Sequence, residues 1–170
     1  MPDELVLSEH LLAPEYFKSI VFSGYNPASL LKVIPQLMKD AFRIESPAFY
    51  EDVVRWDVSS DPITFYAEWR AIESKDVRTN TVGTIIIQGA QNKKDKIGTV
   101  TVWILGRLQT KLPNKNVLDK MLNKTYTWLF YNNVRRTYLD EGKRRINWLD
   151  TEIRRLFDIM ERGEHYERNP

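Results

Sequence analysis

Apolar and polar residues alternate along much of the first 110 positions, and beyond position 115 they fall into helical spacing. The clearest alternation lies in Thr81–Thr110. Two β-branched runs, Thr81–Gln88 and Ile97–Leu105, flank the polar segment Gly89–Lys96. Such side chains suit a pleated surface better than a helix, so the stretch predicts a long hairpin with a multi-residue loop. Alternate strand residues face opposite sides. Ile85, Ile87, Trp103 and Leu105 occupy odd positions, while Ile86, Val100, Val102 and Ile104 occupy even ones. Both sheet faces therefore carry apolar groups, and both are expected to be covered in part. A C-terminal helix would cover one. An N-terminal helix, a ligand or a second subunit would cover the other.

The same reading places a strand over Tyr16–Gly24 and a helix over residues 27–43. Asn26 is its N-cap, and Leu30, Leu31, Ile34, Leu37, Met38 and Phe42 form one stripe. Pro35 lies inside that stripe and predicts a kink or a split. Strands follow at Phe49–Ser59, with Tyr50, Val54, Trp56 and Val58 on one side, and at Ile63–Ser74. Residues 1–15 read as a lead-in that Leu5, Val6, Leu7, Leu11 and Leu12 anchor to the core. Taken together these elements predict an α+β fold: a mainly antiparallel sheet of about five strands, in β-α-β-β-β-β-α order, packed by an N-terminal helix and a long C-terminal helix. Residues 1–112 form the sheet domain, 113–162 the helix or helix pair, and 163–170 a frayed tail.

The C-terminal region sets the main puzzle. With Asn114 as N-cap, a single helix to Arg162 would run ~70 Å at ~1.5 Å per residue, longer than one small sheet. Either it breaks near Gly142 or its distal half projects. Leu139, Ile146, Ile153 and Met160 recur every seven residues, with Leu149 and Leu156 between them. This a/d pattern predicts self-association. Trp128, Leu129 and Tyr131, in the proximal half, are expected on the sheet.

Composition narrows the options. The chain has 170 residues, no cysteine and two histidines, His10 and His165, far apart in sequence. Disulfide and thiolate chemistry are removed, and a histidine-rich metal site is not expected. No run approaches the ~18 apolar residues of a membrane span, and the acidic start Met1–Glu4 lacks a signal-peptide pattern. A cytoplasmic location without membrane association is the expectation. The net charge of +2 is uneven: residues 1–110 hold 12 basic and 14 acidic side chains, and residues 111–170 hold 13 and 9.

The candidate chemistry is sparse. Glycine spacing matches no phosphate loop, no serine sits in a nucleophile elbow, and no cofactor, metal or catalytic residue is assigned. Trp56, Trp69 and Trp103, with Glu68 and Arg70, are the candidate lining of an apolar pocket between sheet and C-terminal helix. Arg136, Lys143 and Arg154 align on one helix side as candidate nucleic-acid contacts, but Asp140 sits among them, and a solvated ion-paired face is the preferred reading. In element order the chain resembles the helix-grip fold of START-type lipid- and polyketide-binding domains, with two strands fewer. That resemblance implies a small apolar ligand gripped by the helix. The functional expectation is a non-enzymatic interaction module, a homo-oligomer held through Leu139, Ile146, Leu149, Ile153, Leu156, Met160 and the second sheet face. The alternatives are a small-molecule binder, possibly catalytic, and a nucleic-acid binder.

Overall fold

The structure is a computed structural model that describes residues 4–113, 117–126 and 132–162. Asn114, Trp128, Leu129, Tyr131, His165 and the segment 163–170 lie outside the described residues. In chain order the elements are β1 (Glu4–His10), β2 (Phe17–Tyr25), α1 (Leu30–Phe42), β3 (Phe49–Asp57), β4 (Ile63–Ser74), β5 (Thr79–Gln91), β6 (Ile97–Pro113), α2 (Val117–Tyr126) and α3 (Asn132–Arg162). The fold is α+β, with one six-stranded, wholly antiparallel sheet.

The extra strand arises at β6. This strand continues to Pro113, well beyond the apolar run that ends at Leu105. Its second half offers an edge to β1, from Glu4 opposite Pro113 to His10 opposite Arg107. Its first half pairs with β2, from Phe17 opposite Leu105 to Tyr25 opposite Ile97. Strands β1 and β2 thus lie end to end along one neighbour. Between them the chain drops Leu11 and Leu12 into the core, tied by the Leu11 N–H donating to Gly106 O at 3.0 Å. From there the sheet runs β6-β5-β4-β3.

One face of the sheet holds the core. Register puts Ile85 opposite Ile104 and Ile87 opposite Val102, with Phe65, Ala67, Trp69 and Ala71 alongside on β4 and Ile20 and Phe22 on β2. All are buried, and α1 and α3 pack onto them. Helix α1 stays in one piece across Pro35. At the sixth helical position, proline leaves only the Leu31 carbonyl without its partner, close to an end where partners are few. Before it, Pro27–Ser29 form a 3-10 turn. Asn26 precedes this turn in a left-handed conformation (φ 54°) and makes no side-chain cap.

Helix α3 runs unbroken through Gly142, so neither expected solution holds. The glycine is needed for approach, not for a break. A Cβ there would meet both Leu11 methyls at 2.8 Å, and one at Gly106 would meet a Leu11 methyl at 2.7 Å. Two glycines, one on the sheet and one on the helix, thus make room for Leu11. The distal half does not project. Ile146, Leu149 and Ile153 are fully buried, Leu156 nearly so, and Leu139 and Met160 pack against the same core. Self-association through these six residues is therefore corrected: the stripe is a seam within one chain, and its side chains are already covered.

A second correction concerns β3. Its register shifts between Glu51 and Val53, a β-bulge at Asp52. Tyr50 faces the same side as Arg70, while Val54 and Trp56 face the side of Ala67 and Phe65. The one-sided grouping of Tyr50 with Val54 and Trp56 fails because the bulge inserts a residue and flips the alternation.

Candidate functional site

Among the described residues, the helices all lie on the core face of the sheet. The opposite face is open, and register arranges it in rows. One row runs Phe17, Leu105, Thr84, Arg70, Tyr50, and the next Ser19, Trp103, Ile86, Glu68, Val53. A third runs Val21, Thr101, Gln88, Tyr66, Arg55, and a fourth Ser23, Thr99, Ala90, Thr64, Asp57. Tyr25 opposite Ile97 closes the field.

The rows divide by charge. From β2 through β6 to β5 these positions hold no ionisable acid or base. In a chain that is 28% charged, a solvated face of this size would carry several. Its apolar groups are conspicuous: Val21 is 70% exposed, Tyr25 54%, Ile97 52% and Phe17 49%. Toward β4 and β3 the face becomes ionic. Arg70 pairs with Asp52 at 2.9 Å and lies 5.3 Å from the Tyr50 ring centre. The Tyr66 hydroxyl donates to Glu68 at 3.3 Å. Burial, followed by the Glu68 charge, raises the Tyr66 pKa. The Asp57 carboxyl is held below its ordinary range, chiefly by the Ser59 hydroxyl and then by its backbone N–H.

The open face dips into a recess of about 580 Å³ over the third and fourth rows. Small side chains, Thr99, Ala90 and Thr64, make its floor. Trp103, Tyr66 and Arg55 rise around it. Its size lies within the range of small-molecule sites.

The five pocket candidates scatter. Trp69, 1% exposed, is core. Trp56 sits on the edge strand, 46% exposed, and stacks 6.0 Å from Phe65. Trp103 lines the recess, while Glu68 and Arg70 stand on neighbouring rows of the same face. The expected placement between sheet and C-terminal helix is corrected. That interface is filled by Ile, Leu, Phe and Trp side chains, because α3 and α1 both descend onto it. The recess is on the other side. Its Thr99, Thr101 and Gln88 carried no sequence signal beyond polar alternation.

Arg136, Lys143 and Arg154 are exposed on α3, with exposed Asp140 beside them. Arg154 pairs with Asp150 at 3.2 Å and Arg155 with Glu152 at 3.6 Å. The basic residues thus form a mixed-charge surface with local ion pairs. Among the described residues, no group of three or more His, Asp or Glu side chains is placed to hold a metal ion. No helix among them is long and apolar enough to cross a membrane.

These features define a two-layer α+β protein with a filled helix–sheet interface and a recessed open face. No protein-family profile and no curated protein matches the chain. Among solved structures it is similar to a protein of unknown function from Staphylococcus aureus, at 10% identity over 86% of this chain and 98% of that one, with a TM-score of 0.23. It is also similar to an uncharacterised protein from Rhizobium leguminosarum, at 8% identity over 86% and 99% of the two chains, TM-score 0.22. At those scores the likeness carries no functional argument.

Proposed function

We propose that the chain is a non-enzymatic binding module whose working surface is the open sheet face, and that this surface pairs with a second copy of the chain. The observation that carries the reading is the uncharged field of β2, β6 and β5, with Phe17, Val21, Tyr25 and Ile97 exposed on it. Nine residues of β2 at ~3.4 Å each, by three strands ~4.8 Å apart, give a footprint of about 30 by 14 Å. Patches of that size are often functional, and the ~840 Å² that two copies would bury lies in the range of weak, transient interfaces. Two such faces stack as sheets do, about 10 Å apart, and a two-fold pairing needs only one self-complementary surface. No charge within the field opposes its like across the axis.

Sedimentation of the full chain from about 5 to 500 µM tests this, since a dimer of that area dissociates in the micromolar range. Concentration-dependent dimerisation that Val21→Glu abolishes, at unchanged thermal stability, supports it. A monomer throughout the range overturns it.

The recess favours a second reading, a site for a small apolar ring compound against Trp103 and Tyr66. Anilinonaphthalene sulfonate is the probe. Saturable enhancement lost in Trp103→Ala supports this reading, and fluorescence indifferent to that variant rejects it.

A further inference from the structure

The C-terminal end of α1 and the middle of α3 enclose a second cleft, of about 420 Å³, on the helical layer away from the open face. Two guanidinium groups enter it from different elements, Arg43 from the end of α1 and Arg144 from α3. Among the described residues neither forms an ion pair, whereas Arg135, Arg145, Arg154 and Arg155 on the same helix each do. Trp148, one turn beyond Arg144, leaves its ring 41% exposed at the cleft.

The backbone adds an independent observation. Arg43 is the C-cap of α1 and is left-handed, with φ 51° and ψ 46°. Glycine is the usual residue there, and the presence of a Cβ costs about 1 kcal/mol in that conformation. Asn26 and Lys96 share that conformation, but of the three only Arg43 lines this cleft. Helix termination alone would be served better by glycine.

We propose that this cleft binds a small phosphorylated ring compound of the mononucleotide class. Arg43 and Arg144 supply forked donors matched to a phosphate. The Trp148 indole offers a flat surface on which a base stacks. Asp40 and Glu141 line the same cleft; they already accept from Gln36 and Lys75, and their remaining acceptor sites suit ribose hydroxyls or a base amino group. Arg145 forms the floor, fixed by donating to Ala41 O at 2.7 Å and to Glu73 at 2.5 Å.

The test is calorimetric titration of the full chain with AMP, inorganic phosphate and adenosine, each separately, in low salt. AMP is expected to bind more tightly than either part. Arg43→Gly and Arg144→Gln should each weaken it by at least about tenfold, the loss of one charged fork. Arg43→Gly also relieves the backbone, so its unfolding midpoint is expected to hold or rise, which separates lost binding from lost folding. Absence of AMP binding overturns the proposal, as does binding indifferent to both variants. Phosphate bound as tightly as AMP overturns the ligand class. Tighter, steeply salt-dependent binding of a short single-stranded RNA overturns the assignment to a small molecule.

Discussion

Removal of the Glu73 carboxylate tests how α3 is locked to the sheet. Glu73, at the end of β4, accepts from Lys75 at 2.9 Å and from Arg145 at 2.5 Å through the same oxygen. The Lys75 side chain is only 6% exposed, and those of Glu73 and Arg145 are 15% exposed. At an effective dielectric of ~20, each contact is a gross attraction of about 6 kcal/mol, most of which offsets the desolvation of three ions. The net worth of the cluster is small, but removal of its centre is not. Glu73→Ala leaves two cations facing each other in a site they cannot leave. Lys75 keeps Glu141 at 2.6 Å and Arg145 keeps the Ala41 carbonyl, which places the loss at the low end of the range for broken buried pairs, about 3 kcal/mol. With a urea slope of about 2 kcal/mol/M, the unfolding midpoint should fall by about 1.5 M. Replacement of all three residues by methionine should recover most of that fall, because the uncompensated charge goes with its partners. A midpoint shift under about 0.5 M for Glu73→Ala would refute the reasoning, since the site would then be wet enough to hold bare cations.

Further expectations concern other contacts. Gly98→Ala drives a Cβ to 2.1 Å from Ala90 O and 2.7 Å from Gln91 Cα, atoms of the backbone that no rotamer relieves. It should cost more than about 2 kcal/mol in urea unfolding. Gly142→Ala meets side-chain methyls alone, those of Leu11 at 2.8 Å and of Thr81 at 3.3 Å, and gains about 1 kcal/mol of helix propensity, so a net loss of about 1 kcal/mol is expected. Equal losses for the two would reject the distinction. The Glu141 carboxyl is held below its ordinary pKa, chiefly by its hydrogen bond from Lys75. Folding thus favours its charged form. That contribution is present above the ordinary glutamate range and is lost as pH falls through the lowered value. Lys75→Met should flatten this part of the stability–pH curve, and an unchanged curve would show that the pair does not titrate as placed.

Sequence alone revealed the elements that alternate cleanly and missed those defined by a neighbour. Strand β4 alternates along almost its whole length and β5 is rich in β-branched residues, and both were visible. Strand β1 was not, because Leu5-Val6-Leu7 is a solid apolar run between charged residues, and its partner is the unmarked second half of β6. The bulge at Asp52 left no local signature, yet it decides which side Trp56 takes. Both faces of the hairpin were legible as apolar. Which of them the helices take is a tertiary choice that no strand records. Arg43 was invisible as a site, since its oddity is a backbone angle and not a residue type.

The heptad spacing of α3 shows why periodicity alone cannot assign a partner. A stripe at positions a and d fits a second helix or a sheet equally well, and the flanking charges tell them apart. In a coiled coil those charges find partners on the other strand. Here four of them are answered from within the chain, successively along the helix: Arg135 Nε donates to Glu9 of β1 at 2.8 Å, and Glu141 accepts from Lys75. Arg145 then reaches Glu73 and α1, and Asp150 accepts from Lys18 of β2 at 3.2 Å. Four anchors set the rotation and the register of α3 on the sheet. A shift of one helical turn would carry each charge ~5.4 Å along the axis and part it from its partner. The seam is therefore specified twice, by shape at Leu11 between Gly106 and Gly142 and by charge along both flanks. With the helical layer committed in this way, the exposed apolar residues that gather on one surface of the sheet, Phe17, Val21, Tyr25 and Ile97, are those of its open face.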